Sequence, residues 1–358
     1  MKVMFLVPER YGLFSPLRDA FTSQGAEVHP IDFFKTVKKW ERQVNTQIFR
    51  APDRARMKWE HYYFRKINAY YQQEYNRIQP DVVFVYNNEM LLPETVDRFK
   101  KESKVVFFLG DSPFYTPTNR FNLTLLFQAD QVFAPDTFWI HQLRKTGLEN
   151  IHHLVTGIPE DLYFELDLSQ EEEEKYQHEV LYVGTCYPSS WGYKKARFLS
   201  HFSAFDLKIL GNRHWQRWIS FFPELKPHFQ LRAAHIPVEE MNRRYNAARI
   251  VPIDGNPGLL HGFHSRLMEA LGAGALPMLE WQEDLAAIFG KDADLPAPAT
   301  YAGLEDMARF YLENEDKRQE KVQWMKSVAR EKLSPARNGQ RIMELLFTGT
   351  KKIRAGKN

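Results

Sequence analysis

The stretch from 261 to 280 reads HGFHSRLMEALGAGALPMLE. Its residue types and order suit the binding of a phosphate and a sugar. Ser265 stands where a helix N-cap is expected, which makes Arg266 the first helical residue. The backbone N–H groups of 263–267 then point out of the helix start, and the helix dipole favours an anion there. Gly262 allows a sharp turn and a close approach of a ligand to the backbone. Arg266 neutralises a phosphate or braces the loop. Glu269 follows about one turn later. From there a carboxylate accepts hydrogen bonds from two neighbouring hydroxyls, as on a ribose. Gly-Ala-Gly-Ala ends the helix and ALPMLE begins a strand. A capped strand–turn–helix needs no ligand, so the stretch alone leaves both readings open.

The rest of the chain must hold that loop in place. Strand candidates in the first half are 3–7, 81–86, 104–109 and 131–134. Each is a continuous apolar run bounded by charges, Pro or Gly, the pattern of strands buried on both faces of a parallel sheet. Helices fit 15–24, 56–79 and 91–102. The segment 157–179 holds Pro159 and a run of four Glu; the run is expected to be a solvated linker or a helix start, and the segment an interdomain connection. The alternation then restarts. Strands fit 179–184, 206–211, 229–234, 249–254 and 275–280. Helices fit 193–204, 237–247, 265–272, 282–289, 303–313, 315–332 and 335–347. The reading is an α/β fold of two doubly wound domains in tandem. Ligands in such sheets bind at the carboxyl ends of strands, and a cleft between two domains is the default site.

Composition narrows the class. At 358 residues the chain is comfortable for two domains of about 150 to 200 residues each. Apolar residues make up 44%, enough for two cores, and a net charge of +3 is not the footprint of a nucleic-acid binder. Cys186 is the single cysteine, so no disulfide framework forms within one chain. That points to a reducing, cytoplasmic setting. The opening MKVMFLVPERYG is too short in apolar residues for a signal peptide and reads as a strand. No run approaches the roughly 18 apolar residues of a membrane span. The segment 35–79 is basic and aromatic, from Lys35, Lys38 and Lys39 to Trp59, Tyr62 and Tyr75. It fits a helical insertion packed on the sheet. It equally fits a recognition surface for an acceptor, or a peripheral contact with the inner membrane face.

The order Gly-Phe turn, Arg, Glu-Ala-Leu-Gly-Ala-Gly-Ala and apolar strand resembles the donor-sugar motif of GT-B glycosyltransferases. It is most similar to glycosyltransferase family 4 and the CgeB-like spore-maturation group. The resemblance extends over about 100–347 and includes VLYVGTCYPSSWGYKKARFL (180–199), DLKILGNRHW (206–215) and KVVFFLGDSPFY (104–115). It implies two Rossmann-like domains facing a central cleft. An acceptor domain spans 1–160, with the last helix, about 335–350, packing back on it. A donor domain spans 161–334. It implies transfer of a sugar from a nucleoside diphosphate, UDP first and GDP or dTDP next, to a glycan, lipid-linked or protein acceptor, without a metal. A nucleotide-sugar epimerase and a non-catalytic nucleotide-sugar-binding protein share the architecture.

The resemblance also distributes roles. Arg197 is the basic residue for the diphosphate, with Lys195 and Lys194 as alternates. Gly184 and Gly211 end the first two donor strands, and Gly12 approaches the donor phosphates. Gly262, Phe263, His264, Ser265, Arg266 and Glu269 form the donor loop. His261 stands where family 4 has a Glu facing the transferred sugar, and is expected to contact the sugar here. His261 and His264 lack an evident third metal ligand. A base that activates the acceptor hydroxyl is sought at strand ends of the first domain: Asp111, then Glu89, then Glu9.

Overall fold

The structure is a computed structural model that describes residues 1–9, 12–87, 90–114, 121–232 and 235–347. The chain divides into two compact units, Met1–Thr156 with Pro335–Asn358, and Gly157–Ser334. The first unit runs β1 (Lys2–Leu6), α1 (Phe14–Thr22), β2 (Glu27–Pro30), α2 (Lys39–Gln47), α3 (Asp53–Ile78), β3 (Val82–Tyr86), α4 (Pro93–Phe99), β4 (Lys104–Phe108), α5 (Asn122–Gln128), β5 (Gln131–Ala134), α6 (Thr137–Lys145) and β6 (Ile151–His153). The second runs α7 (Gln170–Tyr176), β7 (His178–Val183), α8 (Ser190–Ser200), β8 (Leu207–Gly211), α9 (Trp215–Ile219), β9 (Phe229–Leu231), α10 (Val238–Asn246), β10 (Ala248–Ile253), α11 (Arg266–Gly272), β11 (Leu276–Leu279), α12 (Asp284–Phe289), α13 (Leu304–Glu313) and α14 (Glu315–Leu333). The last helix, α15 (Pro335–Phe347), belongs to the first unit.

Both sheets are parallel, in the orders β2-β1-β3-β4-β5-β6 and β11-β10-β7-β8-β9. The central strands are apolar throughout because helices cover both faces, as VVFVY of β3 shows with every residue buried. Strand order reverses once in each sheet, between β1 and β3 and between β7 and β10. At such a point neighbouring crossovers leave to opposite faces, and a crevice opens at the carboxyl ends.

The acidic run is a helix start, one of the two forms expected of it. Ser169 and Glu172 form a capping box that starts α7, with the Ser169 N–H donating to Glu172 Oε2 at 3.1 Å. Glu172 also pairs with Arg243 of α10 at 2.8 Å, so the run is built into the second unit. β2 and β6 were absent from the sequence reading. They are edge strands of four and three residues, and β2 lacks a buried stripe.

α15 completes the first core. Ile342 and Leu346 join Val3, Phe5, Phe21 and Phe84 in one buried cluster. Asn338 Nδ2 donates to the Val155 carbonyl at 3.0 Å and Gln24 Nε2 to that of Ala336 at 3.0 Å. Gly339 lets α15 lie directly on α1, since a Cβ there would stand 1.9 Å from the Ala20 carbonyl oxygen. Alanine favours a helix over glycine by about 1 kcal/mol, but here the backbones would have to part. Gly339→Ala is therefore expected to destabilise the protein by about 1 to 3 kcal/mol, seen as a lower melting temperature by circular dichroism.

Candidate functional site

β7 and β10 end side by side at the reversal of the second sheet, and a charged cluster sits there. Asp254 follows β10 directly and is 3% exposed. Its Oδ1 accepts from the Tyr182 hydroxyl at 2.7 Å. Lys195 Nζ, on α8, lies 3.1 Å from its Oδ2 and donates to the Thr185 carbonyl at 3.0 Å. Arg266 Nη2, on α11, lies 3.4 Å from Oδ1, and Nη1 donates to the Val183 carbonyl at 3.3 Å. The Arg266 guanidinium also lies over the Tyr182 ring, 5.2 Å from its centre. One carboxylate thus faces two cations at the carboxyl end of the sheet.

Burial alone would raise the Asp254 carboxyl, but Lys195, Arg266 and the Tyr182 hydroxyl outweigh it and hold it below its ordinary value. Burial opposes the charge on Lys195, and the Tyr182 oxygen and Asp254 offset this, so its ammonium is held more firmly than usual. Arg266 is raised by the same two partners against burial. His264 goes the other way. Burial, then the Arg266 charge, drive it well below its ordinary value, so its imidazole is neutral. Its Nδ1 accepts the Arg266 N–H at 3.1 Å, which assigns the proton to Nε2.

The start of α11 differs from the sequence expectation. Ser265 has helical backbone angles, φ −54° and ψ −24°, and does not cap the helix. Its hydroxyl reaches forward to Glu269 Oε1 at 3.1 Å. His264 takes the capping role instead, with Nδ1 on the Arg266 N–H and its carbonyl on the Leu267 N–H at 3.1 Å. Of the N–H groups expected to face a ligand, those two are engaged inward. Glu269 lies beside Tyr163 and Tyr245, whose rings are 5.9 Å apart and whose ionisation both burial and Glu269 suppress. Burial pushes the Glu269 carboxyl up, against Arg266 and Ser265. Among the described residues its Oε2 accepts no hydrogen bond.

Sequence candidates fall inside and outside this cluster. Lys195, Arg266, His264, Ser265 and Glu269 come together. Arg197 does not: two residues beyond Lys195 on α8, it is exposed on the other side of the helix. Lys194 pairs with Glu280, which also accepts the Gly255 N–H at 2.7 Å and the Tyr301 hydroxyl at 2.9 Å. Gly184 and Gly211 serve packing. A Cβ on Gly184 would meet the Tyr182 hydroxyl at 2.7 Å, and one on Gly211 would meet the Trp215 ring at 2.1 Å. Trp215 Nε1 donates to the Gly184 carbonyl at 3.0 Å. Gly262 and Phe263 are buried, and the His261 carbonyl accepts the Asp284 N–H at 3.0 Å.

In the first unit, Gly12 is exposed in the turn before α1, and Glu89 lies outside the described residues. Asp111 is exposed beyond β4. Its Oδ2 accepts from Asn87 Nδ2 at 2.8 Å, and Asn87 Oδ1 accepts the N–H groups of Gly110 and Asp111 at 2.8 and 3.1 Å. Asn87 does this from a left-handed backbone, φ 54°. Sequence reasoning missed Asn87, Tyr182 and Asp254. The Asp closing RIVPID was a readable signal for Asp254. For Lys195 the signal was the buried stripe Gly192, Lys195, Ala196, Leu199 along α8.

Residues 194–345 match the model of a family described as glycosyl transferase-like. The segment begins one residue before Lys195 and contains Asp254, Arg266 and Glu269. No curated protein matches the chain. Solved structures share its fold at low identity. The N-terminal domain of Candida albicans trehalose-6-phosphate phosphatase has a TM-score of 0.65 at 14% identity, with 96% of each chain covered. Anabaena Alr3699/HepE in complex with UDP-glucose scores 0.62 at 12%, covering 97% of this chain and 100% of its own. A glycosyltransferase from Rickettsia africae scores 0.62 at 12%, with 99% of each chain covered. The α/β fold of two parallel sheets is that of GT-B glycosyltransferase structures, and the match to the glycosyl transferase-like model falls in its second half.

Removing Asp254 would leave two buried cations facing each other. Asp254→Ala is expected to cost about 3 to 5 kcal/mol in urea unfolding at neutral pH. Because the folded carboxyl is held below its unfolded value, its contribution is complete above about pH 4 and is lost as acid protonates it. The gap between wild type and variant should therefore close as the pH falls below about 4.

Proposed function

We propose that the chain is a glycosyltransferase whose donor is a nucleoside-diphosphate sugar bound at the carboxyl end of the second sheet. The observation that carries this reading is the pair of cations, Lys195 and Arg266, held about Asp254 next to the half-satisfied carboxyl of Glu269. The bond that breaks joins the sugar's anomeric carbon to a diphosphate oxygen. The electron pair leaves on that oxygen, and preorganised cations in a dry site stabilise it most effectively. Lys195 and Arg266 supply that charge without a metal. His264 offers a neutral Nε2–H to a phosphate or sugar oxygen. Glu269 Oε2 has the free lone pairs that a ribose diol requires, and hydroxyl donors there offset the cost of ionising it. His261 is the residue we assign to the transferred sugar, at the place where family 4 has Glu, in keeping with a CgeB-like relative. UDP-sugars are the first donors to test, since the Anabaena neighbour was solved with UDP-glucose. GDP- and dTDP-sugars follow.

For an inverting course, Asp111 takes the proton of the acceptor hydroxyl while its oxygen attacks the anomeric carbon. Asn87 orients the carboxylate and leaves Oδ1 for that proton. A retaining course needs no such base.

Incubation with a panel of UDP-, GDP- and dTDP-sugars should give donor hydrolysis, and transfer when an acceptor is supplied. An isomerised donor would mark an epimerase instead. A thermal shift without turnover would mark a binding protein. By calorimetry, Lys195→Met and Glu269→Gln are each expected to weaken donor binding about 10- to 100-fold, the range of hydrogen bonds to charged groups. Arg197→Ala should stay within about twofold of wild type. Equal losses at Arg197 and Lys195 would remove the phosphate assignment. Asp111→Asn should lower kcat at least about 100-fold with donor affinity unchanged, whereas an unchanged kcat selects the retaining course.

A further inference from the structure

Asn68 is 2% exposed in the middle of α3, on a side that otherwise carries Phe64, Ile67 and Tyr71. A buried amide costs free energy unless its hydrogen bonds are made, and an aliphatic side chain would fill the same space without that cost. Both ends of the Asn68 amide are used. Nδ2 donates to the Phe64 carbonyl of its own helix at 2.7 Å and to the Met90 carbonyl at 2.9 Å. Oδ1 accepts the Leu92 N–H at 3.0 Å. The bonds to Met90 and Leu92 flank Leu91 as those of a parallel strand would, so one side chain stands in for a strand partner.

What is held there is costly backbone. Met90 has φ 61°, in the left-handed region that a long side chain seldom enters, and Asn87, three residues earlier, has φ 54°. Such residues persist only where their surroundings over-determine them. From that position Asn87 reaches the end of β4. Its N–H donates to the Phe108 carbonyl at 2.7 Å. Its Oδ1 accepts the Gly110 and Asp111 N–H groups, and its Nδ2 donates to Asp111 Oδ2. Gly110 is fixed from another side, since a Cβ there would stand 2.0 Å from the Tyr86 hydroxyl oxygen. The Asp111 carboxylate thus takes its place from Asn87, and Asn87 from a chain that Asn68 pins three residues further on. α3 is a firm anchor for this. The Tyr75 hydroxyl bonds the Phe99 carbonyl at 3.2 Å, and Gln72 Oε1 accepts from Arg98 Nη1 at 2.8 Å.

We propose that Asn68 is a positioning residue for the acceptor base. Acting through Met90 and Asn87, it sets the direction of the Asp111 carboxylate toward the hydroxyl whose proton it takes. The inference rests on the reading of Asp111 as that base. It adds a buried residue on a long helix, outside every strand end at which a base is sought. A carboxylate displaced by about 1 Å meets the hydroxyl proton poorly, and an error of that size costs about 100-fold in rate. Donor affinity is set by Lys195, Arg266 and Glu269 and does not depend on Asn68.

The test joins hydrogen exchange to kinetics on the full chain. In Asn68→Leu, which keeps the packing volume, exchange at the Gly110 and Asp111 amides should quicken at least about tenfold, while that of Val105 to Phe108 in β4 stays as in wild type. With UDP-glucose as the probe, kcat for hydrolysis should fall about 10- to 100-fold and KM should stay within about twofold. Asn68→Ser should do the same, since its hydroxyl still bonds the Phe64 carbonyl but does not reach Met90 or Leu92, and it keeps the test open where Asn68→Leu folds poorly. Added to Asn87→Ala, Asn68→Leu should lower kcat no further, because both act on one carboxylate. Gln72→Leu, one turn along α3, should leave exchange and kcat as in wild type. Unchanged exchange at Gly110 and Asp111, losses that add to those of Asn87→Ala, or an equal loss in Gln72→Leu overturns the proposal. If Asp111→Asn keeps its kcat, the base reading falls and this inference falls with it. If Asp111→Asn is slow and Asn68→Leu is not, this inference alone falls.

Discussion

Asp254 holds two cations that would otherwise drive each other apart. Lys195 arrives on α8 and Arg266 on α11, from elements some 70 residues apart in sequence. Their shared carboxylate fixes both helix starts against the ends of β7 and β10, and Tyr182 completes the arrangement from below. Such a cluster is a poor source of net stability, since the desolvation of three charges offsets most of their attraction. What it secures is position. Two cations are held at the point where the strand order reverses, with no conformational search left to make when an anion arrives.

The first unit solves a smaller problem by similar means. Asn87 adopts a left-handed backbone so that one side chain can hold Gly110, Asp111 and the Asp111 carboxylate together. Behind it, Asn68 of α3 bonds the Met90 carbonyl and the Leu92 N–H, which ties the same loop to the long helix. The long helix thus anchors the loop beside Asp111.

Much of this was legible in the sequence because the strongest signals are local. Runs such as VVFVY and KVVFF read as strands covered on both faces, and nine of the eleven strands among the described residues lie in segments read as strands from the sequence. The two missed strands lie at a sheet edge, where short length and half exposure erase the pattern. The segment 261–272 was legible as a turn into a helix but not in detail. Whether Ser265 or His264 caps α11 depends on one pair of backbone angles, which tertiary packing sets. The preference for Arg197 over Lys195 came from the resemblance, which carries no helical phase. The buried stripe of α8 places Lys195 inward with Ala196 and Leu199, and two residues further the helix has turned away. Asp254 was readable as the residue closing a strand, but its pairing with Lys195 and Arg266 forms only in the fold.

The return of α15 to the first unit makes that unit discontinuous, and this has a consequence for synthesis. Ile342 and Leu346 belong to the same core as Val3 and Phe84. A ribosome adding about 5 to 20 residues per second needs roughly 10 to 40 seconds to pass from Thr156 to Phe347. Through that interval the first sheet stands with one flank of its core uncovered, and the second unit is completed at Ser334, 13 residues before Phe347. The half that is begun first is therefore the last whose sequence is complete.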